Sequence, residues 1–224
     1  GLQSRFTTEA QVLKRYIEAG DLGDIYYAEA TYLRRRGIPG WGVFIQKEMQ
    51  GGGALIDIGV HALDLALWLM GNPKPVAVMG ATYEAFGHRP EVVSVGHHWD
   101  ADKFNVDDLG VGMVRFDNDA TLILRASWAA NIAKSFTEHR FLGTKGGAYR
   151  SPLQIFTEMH GTLVDITPAS LSEVRAHEKE IEHFVACIGG ECECLVKPEQ
   201  VLDVQAILDA IYKSAETGRE VRLD

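Results

Sequence analysis

The sequence predicts an α+β domain built on a mostly antiparallel sheet. Three observations carry that expectation. Strand-like segments follow one another from residue 75 to residue 167 without alternating helices. Helical patterns cluster towards the two ends of the chain. No internal repeat, low-complexity tract or linker divides the 224 residues, so 1–224 reads as a single domain.

The elements follow in order. Thr8 caps a first helix over residues 8–19, with Gln11 at the capping-box position, Val12, Leu13, Tyr16 and Ile17 on its apolar face, and Gly20 ending it. DIYYAEATYL, residues 24–33, is rich in β-formers and reads as a strand. RRRGIPGWG, residues 34–42, is a loop, because its glycines and Pro39 oppose regular structure. GGGALIDIGVHALDLALWLMG, residues 51–71, is three glycines followed by a helix apolar almost all round, and Gly71, Asn72 and Pro73 stop it. Strands are expected at 75–84, 109–116, 121–129, 135–143, 153–159 and 162–167, with FDNDA turning a hairpin and TKGG a turn. Apolar residues at helical spacing over 172–188 and 199–217 close the chain with two helices.

A net charge of −9 opposes nucleic acid and anionic membrane surfaces as partners. No uninterrupted apolar run reaches the ~18 residues of a membrane span. The N-terminus, GLQSRFTTEA, lacks the basic head and apolar centre of a signal peptide; it also lacks an initiator Met, so the chain reads as processed or cut from something longer. Cys187, Cys192 and Cys194, an odd count in one short window, form no disulfide framework and fit a reducing, cytoplasmic setting. His183 lies four residues before Cys187, which allows a three-Cys, one-His zinc site; the plainer reading is three incidental thiols around a helix end.

No dinucleotide fingerprint is present. Gly51 and Gly53 begin a G-x-G, but Ile56 stands where the third glycine belongs; Gly110 and Gly112 meet Arg115 and lie inside a strand. The apolar helix is instead marked by a polar stripe. At ~100° per residue Asp57, His61, Asp64 and Trp68 fall within about 60° of one another, and no Lys, Arg or Glu occurs from 51 to 71. Such a stripe suits a helix that lines a cleft. An unpaired buried carboxylate is costly, so Asp57 is expected to pair with His61 one turn on and to raise its pKa. The glycines suit close approach of another group to the helix start. Two chemistries fit: an acid/base relay on a small polyol or carbonyl compound, or a metal site using Asp57, His61 and His97 or His98. A structural reading stands beside them, with Asp57 as a cap and His61 as a satisfied core residue. The relay is preferred, and no metal is assigned.

The glycine run, D-x-G-x-H-x-x-D and W-L-x-G of residues 51–71 resemble the signature of the C-terminal domain of the glucose–fructose oxidoreductase, inositol dehydrogenase and MocA (Gfo/Idh/MocA) family, and LGDIYYAEA and AIYKSAETGREVRLD extend the resemblance over the whole chain. The resemblance implies a large open-faced sheet with helices packed on one face, whose exposed face joins subunits into a homodimer or homotetramer. It implies an NAD(P)-dependent oxidoreductase of sugars, inositols or related polyols, in which an N-terminal Rossmann domain, with its Glu-Lys-Pro lysine, is absent from this chain and GLQSRF is the joint. No cofactor is then expected to bind to this chain alone, and the isolated chain is expected to be inactive. By resemblance His61 is the catalytic histidine and Asp57 the carboxylate that orients it. Asp64, the last acid of the motif, has a substrate or structural role. In the preceding loop Arg34, Arg35, Arg36 and Trp41 are substrate contacts or an exposed basic surface, with Arg36 and Trp41 favoured; Asn131 and His139 rank lower. The competing expectation is a non-enzymatic assembly or binding domain derived from the same family.

Overall fold

A computed structural model describes residues 1–95 and 97–223. A short 3-10 turn, Gln3–Phe6, precedes helix α1, Thr8–Glu18; strand β1, Ile25–Leu33, follows. Then come the single turn α2, Lys47–Gln50, a π-helical turn, Leu55–Gly59, and α3, Val60–Leu69. Seven strands succeed them: β2 (Pro75–Tyr83), β3 (Leu109–Phe116), β4 (Thr121–Ser127), β5 (Phe136–Gly143), β6 (Gly146–Tyr149), β7 (Gln154–Met159) and β8 (Thr162–Ile166). Helices α4, Ala176–Ile188, and α5, Pro198–Thr217, and a last short strand β9, Val221–Arg222, complete the described chain.

The strands form one sheet in the order β8-β7-β6-β5-β1-β4-β3-β2-β9. All neighbours are antiparallel except β1 and β4. Alternation decides which face is covered. Leu122, Leu124 and Ala126 of β4 and Val114 and Phe116 of β3 point into the core with Leu63, Leu67, Ile207 and Ile211 of α3 and α5. The opposite face stays open: Met79, Met113 and Leu142 are exposed, and Arg125 and Arg140 flank Glu29 at 3.5 and 3.9 Å. The segment Lys47–Leu69 is long and apolar enough by composition to cross a membrane, but most of it is buried inside this core.

Local expectations are corrected at several points. Thr8 does not cap α1: Thr7 holds the cap position without a side-chain bond, and the Gln11 amide reaches back to the Arg5 carbonyl at 2.7 Å. The apolar helix is broken at its start, because Gly51 takes a left-handed φ of 86° and ends α2. TKGG runs directly into β6, and α4 starts at Ala176, four residues later than its apolar pattern suggests.

One interaction fixes the first residues. Arg5 and Asp64 both have side chains with 0% exposure and form a two-point ion pair, Nε to Oδ2 at 3.0 Å and Nη2 to Oδ1 at 2.6 Å. Arg5 Nη1 also donates to the Leu195 carbonyl (3.0 Å) and to Gln200 Oε1 (2.6 Å). The guanidinium so joins the N-terminal turn, α3, the loop after α4 and the first turn of α5. Burial pushes the Asp64 pKa up, and Arg5 opposes that shift. A second tie is His139 of β5, whose Nε2 donates to the Ala62 carbonyl at 3.0 Å and whose Nδ1 is buried without a partner among the described residues. Burial lowers its pKa to about 3, so the ring is neutral in the fold.

Removing one partner of a buried pair strands a charge, so Arg5→Ala is expected to lose about 3–5 kcal/mol in urea unfolding. Arg5→Met combined with Asp64→Leu should recover most of that loss; a double variant as unstable as the single one would remove the ion pair as the tie. For His139 the depressed native pKa means that only the unfolded state takes a proton as the pH falls below about 6.5. Stability should therefore drop by roughly 2 kcal/mol from pH 6.5 to 5, and His139→Gln should flatten that slope in the same urea series.

Candidate active site

The start of the apolar helix is held from outside. Asp107, just before β3, accepts from the Gly53 N–H (Oδ1, 2.8 Å) and the Leu55 N–H (Oδ2, 3.0 Å), and its carbonyl takes the Ala54 N–H at 2.9 Å. A carboxylate there satisfies free amides and complements the positive helix end. Tyr212 of α5 donates its hydroxyl to Asp107 Oδ1 at 2.6 Å. A Cβ on Gly53 would overlap the Asp107 carbonyl, and one on Gly52 the Tyr212 hydroxyl. The group that approaches these glycines is therefore the protein's own Asp107 and Tyr212.

From there the helix makes a π turn, in which the Val60 N–H bonds to the Leu55 carbonyl. Such turns carry an extra residue and recur at functional sites. The polar stripe then divides. Asp64 and Trp68 are covered by the N-terminal turn and α1: Arg5 lies 5.9 Å and Lys14 Nζ 5.3 Å from the Trp68 ring centre. Asp57 and His61 remain at a cleft of about 450 Å³, walled by Gln3, Ser4 and Thr7 on one side and Tyr32, Arg34, Thr137, Arg150 and His177 on the others. A larger hollow of about 730 Å³ between α1 and α4 contains neither Asp57 nor His61, so volume does not choose the site.

Asp57 does not hydrogen-bond His61. Its Oδ2 accepts from Trp128 Nε1 at 2.7 Å. His61 Nδ1 is buried without a partner among the described residues, leaving Nε2 as the nitrogen that can meet a ligand. Burial lowers the His61 pKa, and the charges of Asp57 and Asp64 offset this only in part. The expected rise is thus a fall: desolvation outweighs carboxylates that are near but not bonded. A neutral imidazole beside a fixed carboxylate can take a proton from a hydroxyl. Arg150 adds a guanidinium whose Nε is buried and unpartnered among the described residues.

The remaining candidates lie elsewhere. Asp64 is no substrate contact, since its carboxylate is sealed against Arg5. Arg36 is spent on the Ala130 carbonyl and Asn131 Oδ1, at 3.1 and 2.8 Å, in a separate hollow beside Val93 and Val95. Trp41 is half exposed and packs edge-on against Phe44 and His97. Of the three arginines only Arg34 reaches the cleft, held at Tyr32. His97 and His98 do not line it. Arg5, Trp128 and Asp107 escaped sequence reasoning, as each partners a residue over fifty positions away and stands in no motif.

An open sheet, a helix presenting an acid and an imidazole, and a polar cleft at the first residues are the features of a Gfo/Idh/MocA C-terminal domain. The chain belongs to that family: its GFO/IDH/MocA C-terminal domain matches residues 10–149. The chain is 36% identical over 220 residues to D-glucoside 3-dehydrogenase of Escherichia coli (strain K12), covering 98% of this chain and 62% of that protein. It is 28% identical over 153 residues to levoglucosan dehydrogenase of Pseudarthrobacter phenanthrenivorans, covering 63% of this chain and 39% of that one. Levoglucosan dehydrogenase in complex with NADH and L-sorbose superposes with a TM-score of 0.79 at 26% identity, over 100% of this chain and 65% of that chain. An oxidoreductase domain protein from Kribbella flavida shares the fold, with a TM-score of 0.83 at 18% identity. The chain thus spans less than two thirds of these relatives' length.

The His61 titration is directly measurable. Followed by NMR in this chain, the ring should titrate below about 6.5. Asp57→Asn should lower the midpoint further, because it removes a charge that favours the imidazolium; a midpoint that rises in Asp57→Asn would dismiss Asp57 as its electrostatic neighbour.

Proposed function

We propose that this chain is the substrate-binding, proton-transferring half of an NAD- or NADP-dependent oxidoreductase that acts on a sugar, glycoside or related polyol. The observation that carries the reading is the open His61 beside Asp57 in a cleft lined by hydroxyl, amide and guanidinium groups. The similarity to D-glucoside 3-dehydrogenase over nearly the whole chain supports the substrate class.

The chain's own residues account for half of the reaction. Tyr32, Arg34, Thr137 and Arg150 hydrogen-bond sugar hydroxyls and hold one C–H and its O–H towards the N-terminal turn. His61 Nε2 takes the hydroxyl proton. Asp57, held in place by its Trp128 bond, stabilises the imidazolium that results. In the reverse direction the same ring returns the proton. The chemistry that a bound nicotinamide would supply is hydride exchange with the same carbon. The glycines here are filled by Asp107 and Tyr212 and offer it no phosphate cradle, so the dinucleotide and the lysine of the family's other domain come from a further segment, docked at the N-terminal turn. Apolar Ile181, Phe184, Val185 and Ile188, exposed at helical spacing on α4 beside that turn, suit such docking. The open sheet face is the proposed homodimer or homotetramer surface, and the setting is cytoplasmic.

The test joins the chain at its first residue to a dinucleotide-binding domain of the family. The isolated chain should show no nicotinamide turnover with glycosides, while the joined protein should. His61→Ala should then lower kcat by about 10²–10⁴, with Asp57→Asn losing less. Turnover that survives His61→Ala undiminished would remove the histidine from the reaction.

A further inference from the structure

The three cysteines lie at the end of α4 and in the loop that follows, and none of them lines the His61 cleft. The side chains of Cys187 and Cys192 converge on that of His183. Cys187 Sγ lies 3.4 Å from His183 Nε2 and 3.7 Å from Cys192 Sγ, and Cys192 Sγ lies 3.7 Å from His183 Nδ1. One ligand atom from each of the three residues falls within 4.8 Å of the others. Cys194 is close enough to Cys187 for the thiols to interact. All three cysteines of the chain lie at this helix end.

These separations match a coordination shell. Bond lengths of about 2.3 Å to sulfur and about 2.0–2.1 Å to nitrogen imply tetrahedral edges of about 3.8 Å between sulfurs and about 3.6 Å from sulfur to nitrogen. The Cys187–Cys192 distance of 3.7 Å and the Cys187–His183 Nε2 distance of 3.4 Å fit those edges within a few tenths of an ångström, whereas Cys192 faces Nδ1, so the imidazole must turn to bring one nitrogen to both sulfurs. A disulfide would draw on two sulfurs and leave the histidine unexplained, whereas an ion uses all four donors. His183 Nε2 accepts from the Leu195 N–H at 2.9 Å, so its lone pair is engaged by the backbone in the metal-free chain. Binding exchanges that hydrogen bond for a coordinate bond, and the thiols release their protons to solvent.

We propose that His183, Cys187, Cys192 and Cys194 form a structural zinc site that staples the loop after α4 to the helix. The consequence would be local order. The same loop supplies the Leu195 carbonyl to Arg5 and so borders the N-terminal turn that walls the active cleft.

The experiment uses the purified chain, incubated with zinc and passed through gel filtration. About one equivalent should remain, as for a structural site, and cobalt in its place should give the visible bands and thiolate charge-transfer absorption of a tetrahedral sulfur-rich complex. Cys192→Ser and Cys194→Ser change loop positions, so the fold should survive, as checked by the urea midpoint without metal. Each should cut retained zinc at least tenfold and abolish the cobalt charge-transfer band. Zinc should also protect the thiols from a disulfide reagent in the parent chain. Two results would overturn the site: no zinc retained with all thiols reactive, or a Cys187–Cys192 disulfide in protein kept under reducing conditions.

Discussion

The buried ion pair of Arg5 with Asp64 is the constraint on which the cleft depends. A guanidinium at 0% exposure is tolerable only because its donors are taken by Asp64, the Leu195 carbonyl and Gln200. Few other geometries satisfy so many donors at once. The pair therefore fixes where the N-terminal turn crosses α3, and it crosses less than one helical turn from His61. Had the turn lain nearer to Gly53, His61 would be sealed like Asp64. Had it lain farther away, the ring would be exposed and would titrate as an ordinary histidine.

The other end of the helix is set by a different balance. Asp107 and Tyr212 draw the glycine run against β3 and α5, and the π turn adjusts the phase before α3 begins. Trp128, at the end of β4, then holds Asp57 by a bond to the indole rather than to the imidazole. This separation matters chemically. A carboxylate bonded directly to His61 would favour the imidazolium and leave less of the ring as free base at neutral pH. One placed nearby but occupied elsewhere acts mainly by its charge, so burial keeps the ring neutral while the proton it receives is still stabilised.

Much of this was legible in the sequence, and the boundary has physical causes. Long periodic segments such as α5 and β3 were read within a residue, because their burial pattern repeats over several turns or pleats. The four-residue β6, with two glycines, has too little pattern to read, and its pairing with β5 and β7 decides it. Helical phase placed Asp57, His61, Asp64 and Trp68 on one face, correctly as far as one face goes. It could not show that half of that face is roofed, since the roof is Arg5, nearly sixty residues away. The same limit explains why Asp64, Arg36 and Trp41 were chosen for the cleft and Arg150 and Thr137 were not. A motif ranks residues by type and spacing, whereas access is settled by whichever distant segment packs over them.

The helix thus serves two incompatible demands along ten residues. Its C-terminal half anchors the fold, where every polar group must be matched and closed off. Its N-terminal half needs a titratable nitrogen open to a ligand, which leaves His61 Nδ1 buried and unmatched. An orphaned buried atom lowers stability, and a folded chain keeps such an atom only where the surroundings over-determine it. Asp107, Trp128 and Arg5 supply that surplus of constraint around the histidine. The openness of the site and the rigidity of its frame are therefore two aspects of one arrangement, and a change that relaxes the frame at Arg5 should be felt at His61 although the two side chains share no bond.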